Sequence, residues 1–328
     1  MDKNNQQKIS IIIPLLNEME SIEELNKKII KVLSFINFDY EIIYIDDGST
    51  DDSYEILKRL KQAHSLRHPP VGEADGRGKI TIIHFKKNFG KSIALNIGFQ
   101  EAKGDLIITM DADLQDDPLE IPNFIKKINK GYDLVSGWKQ KRKDGLIKLI
   151  SSKIFNITVS LLSGIKLHDF NCGFKIYKKE VIKNINVYGE LYRFLPVLAY
   201  EKGFKVGELK IKHNYRKFGE SKYGKFGLRR FKNYLLDPIN ILFLTKYSKK
   251  PAHFFGGIGF LLLFVGLIAC LYLSILWISG ERPIGNRPLL FLGILLIITG
   301  IQLISMGFLG EIITKKNSSK EKIHYIKK

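Results

Sequence analysis

Short β-branched runs recur through the first half of the chain: ISIII (9–13), EIIYI (41–45), KITIIHF (79–85), DLIITM (105–110) and DLVSG (133–137). Apolar runs this short and unbroken predict strands buried on both faces. Between them the period lengthens. Ile22, Leu25, Ile29 and Leu33 share one helical face, and Ile93, Leu95, Ile97 and Phe99 follow the same spacing less cleanly. Strand alternating with helix predicts an α/β fold: a mostly parallel sheet flanked by helices. From Gln62 to Lys79 the pattern lapses into QAHSLRHPPVGEADGRGK, rich in glycine, proline and charge, which predicts a mobile surface excursion.

The last third reads differently. Phe254 to Ile278 carries no charge, and Pro288 to Ile313 carries only Glu311, in its last turn. Each exceeds the roughly 20 apolar residues that cross a bilayer. The alternative, a pair of buried core helices, is disfavoured because globular helices rarely run so long without a polar face. Lys246, Lys249 and Lys250 precede the first span and Lys315, Lys316, Lys320 and Lys322 follow the second, whereas the connector SGERPIGNR holds two arginines. This asymmetry predicts a multi-pass protein of the inner membrane with both termini cytoplasmic. The start, MDKNNQQK, lacks an apolar core, so no cleaved secretory signal is expected.

Two further segments, 139–163 and 222–250, mix basic and apolar residues at helical spacing; the second sets Phe226, Phe231, Leu235 and Ile239 against Arg229, Arg230 and Lys232. Both suit a helix lying among lipid headgroups, with an ordinary surface helix as the alternative. The expected organisation is a cytoplasmic domain over 1–221, interface helices over 222–250, a hairpin of spans over 251–314 and a basic tail over 315–328.

A net charge of +19 fits nucleic acid, an anionic membrane or a phosphorylated substrate. The basic residues gather beside the spans and no nucleic-acid motif appears, so nucleic acid is not an expected partner. Two cysteines, Cys172 and Cys270, make no disulfide framework.

Parallel sheets bind ligands beyond the carboxyl ends of their strands. Three polar clusters fall there: PLLNE (14–18), DDGSTDDS (46–53) and DADLQDDP (111–118). Asp111 and Asp113 are two residues apart at a strand end, so both carboxylates can face one hard divalent cation, Mg²⁺ or Mn²⁺, which leaves positions for substrate phosphates. Asp116 and Asp117, ahead of Pro118, read instead as helix caps. Asp46 and Asp47 are placed to accept from a nucleotide base or ribose. FGKS (89–92) imitates the end of a P-loop, but Phe85 stands where that motif needs glycine. The glycines of GGIG (256–259) read as a close-packing face.

Taken in order, PLLNE, DDGSTDDS, NFGKSIALNIGFQEAKGD, MDADLQDDP, DFNCGFKIYKKE and RKFGESKYG resemble glycosyltransferase family 2, specifically the polyprenyl-phosphate sugar synthases related to dolichyl-phosphate-mannose synthase. The resemblance runs from Ile9 to about Leu244 and implies a GT-A-type nucleotide-sugar domain. It implies that Pro14, Leu16, Glu18 and Asp46, with Asp47 and Lys91, hold the nucleotide; relatives often carry an aromatic residue at the place of Leu16. It assigns the metal to Asp111, Asp113 and Gln115, and places Asp169 near the acceptor. Arg216, Ser221 and Lys222 match a segment that closes on phosphates, and Lys175 stands where an arginine is common.

The expected reaction is an inverting, metal-dependent transfer of a glucose, mannose or modified sugar from a UDP- or GDP-sugar to polyprenyl phosphate. Its product would go to a downstream flippase and a second glycosyltransferase, and a homo-oligomer is compatible with this reading. Catalytic roles fall to Asp111, Asp113 and Asp169. Arg142, Lys175, Arg193, Arg216 and Lys222 are candidates to grip the acceptor phosphate, each weighed against being a solvated surface cation. Two rivals remain. A processive polysaccharide synthase calls for a Gln-x-x-Arg-Trp segment, which neither Trp138 nor Trp277 supplies. A non-catalytic, membrane-tethered nucleotide-sugar sensor would bind donor without turnover.

Overall fold

The computed structural model describes residues 7–36, 38–67, 78–140, 146–185, 187, 191–214, 217–218 and 250–318. The chain divides into two compact units, Met1–Tyr234 and Leu235–Lys328.

The first unit is built on a seven-stranded sheet. Its strands are β1 (Lys8–Leu15), β2 (Asp39–Asp46), β3 (Lys79–His84), β4 (Leu106–Thr109), β5 (Leu134–Lys139), β6 (Lys175–Lys178) and β7 (Val206–Ile211). They lie in the order β3-β2-β1-β4-β6-β5-β7. β6 alone runs against the rest, pairing antiparallel with both β4 and β5. β1 and β4 at the centre are buried as expected, but β3 is covered in full only at Ile80, partly at Thr81 to Ile83 and not at its ends, because it is the edge strand.

Helix α1 (Ile22–Phe35) buries Ile22, Leu25, Ile29 and Leu33 as its period predicts. α3 (Lys91–Glu101) turns otherwise: Ala94, Leu95, Gly98 and Phe99 face the sheet, and Ile93 is 41% exposed. A side chain at Gly98 would strike Ile12 and Ile45, so the helix lies close on the sheet there. α2 (Ser53–Arg67) runs into the stretch expected as an excursion. Its reason is His64, which is buried one turn after Leu60 and carries the inward face onward without an apolar residue. Residues 68–77 of that stretch lie outside the described residues, and its last, Lys79, opens β3.

The other helices are α4 (Ile121–Ile128), α5 (Leu146–Ser163), α6 (Lys179–Lys183) and α7 (Leu195–Glu201). α5 is apolar on two sides. Phe155 and Val159 are buried, while Ile154, Ile157 and Leu161 share the opposite face in the open, Leu161 at 76% exposure. Of the expected interface helices over 222–250, all but Lys250 lie outside the described residues.

The second unit is a hairpin of two helices, Pro251–Ile278 and Pro288–Ser318, each long and apolar enough to cross a membrane and largely uncovered by protein. Its seam is glycine against glycine. An added Cβ at Gly259 would lie 2.7 Å from the Gly300 carbonyl, and one at Gly266 would lie 2.7 Å from that of Gly293. Gly259 and Gly266, like Gly293, Gly300 and Gly307, recur every seventh residue, the repeat that keeps one face on a partner helix. Of the GGIG glycines only Gly259 has this role; Gly256 and Gly257 face open space. Glu311 accepts a hydrogen bond from the Ala252 N–H at 3.3 Å, an anion at the N-terminus of the neighbouring helix.

Candidate active site

The parallel strands end at one edge, and three loops there are laced together. The Asn17 N–H donates to Ser49 Oγ at 2.8 Å, the Thr50 N–H to Asn17 Oδ1 at 2.8 Å and the Glu18 N–H to Ser53 Oγ at 2.9 Å, which joins the PLLNE and DDGSTDDS loops. Pro14 is buried in β1 opposite Ile45, beyond the end of the β4 pairing, where its missing N–H breaks no ladder on that side. Leu16 and Glu18 are half-buried just past the strand.

Asp46, the last residue of β2, is fully buried. Its Oδ1 accepts from the Ser49 N–H at 2.8 Å and its Oδ2 lies 2.8 Å from His84 Nδ1, whose ring stacks on Tyr54. Asp47 turns to a third loop. Its two carboxylate oxygens accept the N–H groups of Phe89 (2.7 Å) and Gly90 (2.9 Å), and burial raises its carboxyl above the usual range despite those donors. Gly48, at φ +74°, makes room for this loop: a Cβ there would lie 2.5 Å from the Lys87 carbonyl carbon. Asp47 thereby fixes the turn from which α3 starts, and the first residue of α3 is Lys91.

The Lys91 ammonium forms an ion pair with Asp111 Oδ1. The antiparallel strand matters here, because its first residue, rather than its last, reaches the edge where the parallel strands end. Lys175 pairs with Thr109 at the end of β4 and is buried, its ammonium donating to the Cys172 carbonyl. Lys139, the last residue of β5, reaches the same edge and pairs with Asp116 Oδ1 at 3.0 Å. Burial works against the Asp111 charge, yet Lys91, Lys139 and Lys175 outweigh it and hold the carboxyl below its ordinary value. Asp113 goes the other way: burial, then Asp111 and Asp116, push it up to about 6. Lys175 is lowered by burial against the pull of Asp169; for Lys139 burial is outweighed by Asp116 and Asp111, and its ammonium is held above the usual lysine value.

The loop that carries these carboxylates is tightly determined. Leu114 is buried with φ +61°, a conformation costing a leucine about 1–2 kcal/mol. Asp113 Oδ1 accepts the Gln115 N–H at 3.2 Å, and the Gln115 carbonyl accepts the Asn214 N–H at 2.9 Å. Gly173 closes the other side, since a Cβ there would lie 2.5 Å from Asp111 Oδ2. Asp169 is buried in the loop before β6, with its Oδ1 accepting the Asn171 N–H at 3.1 Å. Arg193 and Lys91 both approach the Tyr192 ring, at 5.4 and 5.3 Å, and Arg193 Nε donates to the Tyr192 hydroxyl at 3.1 Å. Arg142, Arg216, Ser221 and Lys222 lie outside the described residues.

The family model for Glycosyl transferase family 2 matches residues 10–185. The chain belongs to this family. The dodecaprenyl-phosphate galacturonate synthase of Rhizobium johnstonii is 32% identical over 311 residues, covering 94% of this chain and 88% of that protein. The undecaprenyl-phosphate 4-deoxy-4-formamido-L-arabinose transferase of Edwardsiella ictaluri is 32% identical over 305 residues, covering 93% and 88%. Among solved structures, glucosyl-3-phosphoglycerate synthase from Mycobacterium tuberculosis in complex with Mn²⁺, uridine diphosphate and phosphoglyceric acid matches with a TM-score of 0.52 at 17% identity, over 73% of this chain and 78% of that one. That likeness shows the shared GT-A-type fold.

In this glycosyltransferase two sequence-based assignments change. Asp117 is the helix cap, accepting the Leu119 N–H at 3.1 Å, but Asp116 is not. It is buried, its backbone bridges to His213, and its charge meets Lys139. By sequence Lys139 belongs with the basic run that follows it; pairing with Ile211 draws it into the sheet instead, and its side chain is 11% exposed. Lys175 is likewise no solvated surface cation. The residues missed by sequence reasoning are His84, Tyr54, Tyr192 and Gly173; Tyr54 directly follows DDGSTDDS and Gly173 lies within DFNCGFK, whereas His84 and Tyr192 carried no local signal.

The charges fit a divalent cation. Asp111 is close enough to Asp113 to oppose its ionisation, and a lysine ammonium rests on Asp111 where a cation would be expected. Among the described residues no three His, Cys, Asp or Glu side chains form a closed cage. Mg²⁺ held by one or two carboxylates and by substrate phosphates needs none.

Proposed function

We propose that this glycosyltransferase moves a sugar from a nucleoside-diphosphate donor to polyprenyl phosphate at the cytoplasmic face of a membrane, with inversion and with Mg²⁺ or Mn²⁺. The observation that carries the proposal is the match along more than nine-tenths of the chain to transferases named for dodecaprenyl and undecaprenyl phosphate. The apolar hairpin and the uncovered Ile154, Ile157 and Leu161 stripe support an acceptor drawn from the bilayer. On this reading the membrane interface is formed by α5 and the 222–250 segment, and the cytoplasmic domain ends near residue 221.

An oxygen of the lipid phosphate attacks the anomeric carbon, and the bond from that carbon to the nucleoside diphosphate breaks. A phosphate monoester is largely ionised at neutral pH, with a second pKa of about 6, so proton removal is not the main difficulty. The difficulty is bringing anion to anion, which fixed cations ease. Asp111, Asp113 and Gln115 would hold the metal, whose chemistry is to neutralise the departing diphosphate. Lys91 serves the donor side of the loop, Arg193 is the described candidate to meet the acceptor phosphate, Lys175 acts from its buried place by its charge alone, and Asp169 orients the acceptor. Pro14, Leu16, Glu18 and Asp46 line the nucleotide end, and Asp47 holds the loop that presents Lys91.

The test is transfer of label to undecaprenyl phosphate from a panel of UDP- and GDP-sugars, including galacturonate and 4-deoxy-4-formamido-arabinose donors, with Mn²⁺ or with EDTA. Metal-dependent transfer from one donor is expected. Donor binding by calorimetry with no turnover on any lipid phosphate would overturn the reading.

A further inference from the structure

Asp111 is paired with Lys91 and Asp116 with Lys139, and Lys175 adds its charge against Asp111, so much of the charge of the metal loop is countered before any ligand arrives. Two of those lysines are locked in place. Lys139 is held by Asp116 and buried in the β5–β7 pairing, and Lys175 is buried against the Cys172 carbonyl. Lys91 differs. Its side chain is 25% exposed, it starts a helix rather than sitting inside a sheet, and beside Asp111 its ammonium faces the Tyr192 ring at 5.3 Å.

We propose that Lys91 is a positioning residue that occupies Asp111 in place of the metal and yields it only when a nucleoside diphosphate arrives. The inference rests on the metal-dependent reading above and adds an order to it. A dication entering the loop alone would meet the Lys91 ammonium at close range, and the repulsion opposes binding. A diphosphate brings compensating negative charge and a new partner for Lys91, so metal and nucleotide bind together and neither binds well alone. The Asp47 carboxylate, by fixing Phe89 and Gly90, keeps Lys91 within reach of both positions.

The experiment is Mn²⁺ uptake by the full chain in lipid nanodiscs, followed by loss of the free Mn²⁺ paramagnetic resonance signal, with no nucleotide, with UDP and with GDP. The wild type is expected to bind Mn²⁺ at least ~10-fold more tightly with its preferred nucleotide than without. Lys91→Met is expected to bind Mn²⁺ alone at least ~10-fold more tightly than the wild type and to lose most of the nucleotide dependence. Lys91→Gln is a second neutral variant should the first fold poorly, and Lys91→Arg should restore the wild-type pattern. Equal or weaker uptake of Mn²⁺ alone by both neutral variants overturns the role of Lys91 and leaves the proposed reaction standing. Absence of uptake by the wild type with either nucleotide, together with turnover in EDTA, overturns the metal-dependent reading and this inference with it.

Discussion

Gly173→Ala tests whether the position of Asp111 sets the rate. The added Cβ would lie 2.5 Å from Asp111 Oδ2 and 2.7 Å from Cγ and Oδ1, against an ordinary contact of at least 3.4 Å, a shortfall of about 0.9 Å. The backbone cannot easily give way. The Gly173 carbonyl accepts the Thr109 hydroxyl at 2.8 Å, and the next carbonyl, that of Phe174, accepts the Gly137 N–H at 2.9 Å. Asp111 must therefore move, toward the side on which it is 30% exposed. Displacing a reacting group by about 1 Å costs about 100-fold in rate. The same movement relieves the clash, so stability should fall by no more than the ~1–3 kcal/mol typical of overpacking. Initial rates of transfer to undecaprenyl phosphate, Mn²⁺ affinity with nucleotide present and thermal unfolding together make the assay. A variant with wild-type rate and Mn²⁺ affinity would refute the claim that Gly173 fixes the carboxylate.

Three further outcomes follow from the same loop. Without divalent ions Asp113 should destabilise the fold at neutral pH: its carboxyl, raised from 3.8 to about 6, holds a proton in the folded state that the unfolded chain releases, so stability falls as pH rises through that window, by at most about 3 kcal/mol. Asp113→Asn should accordingly melt above the wild type at pH 7.5 in EDTA, with the gap closing toward pH 4; no gap at pH 7.5 would count against the electrostatic account. Lys139→Met leaves Asp116 buried without its ammonium and should cost about 3–5 kcal/mol in denaturant unfolding, most of it recovered by adding Asp116→Leu; a neutral single variant would refute the pairing. In transfer assays Asp113→Ala should abolish activity while Asp169→Asn leaves a measurable remainder, and complete loss from both would reverse the assigned roles.

How much of this the sequence disclosed depended on whether a residue's environment is local. β1, β2 and β4 were legible because two-sided burial writes itself as unbroken apolar runs, and the polar clusters that follow them sit at the sheet edge as predicted. β6 was not, because four residues that begin and end in lysine carry no such signal, and its first lysine is buried by topology alone. β7 is half-open and interrupted by Gly207, against which Tyr132 packs. Asp116 had a sound local explanation in the proline that follows it. Its true partner lies in another strand, and only the β5–β7 pairing brings Lys139 there.

An acidic knot in a chain of net charge +19 therefore has a structural answer. Four aspartates within nine residues would repel one another at any sheet edge. Here the fold pairs Asp111 with Lys91 of α3 and Asp116 with Lys139 of β5, and sets Lys175 of β6 against Asp111 as well. The lysines in β5 and β6 owe their places to a sheet that departs from the all-parallel pattern by one strand, since β6 enters the edge by its first residue and sets β5 beyond it. Reversing β6 would leave the acidic loop intact in sequence yet remove Lys175 from it. The chemistry written in the aspartates thus depends on the strand that the apolar pattern did not announce.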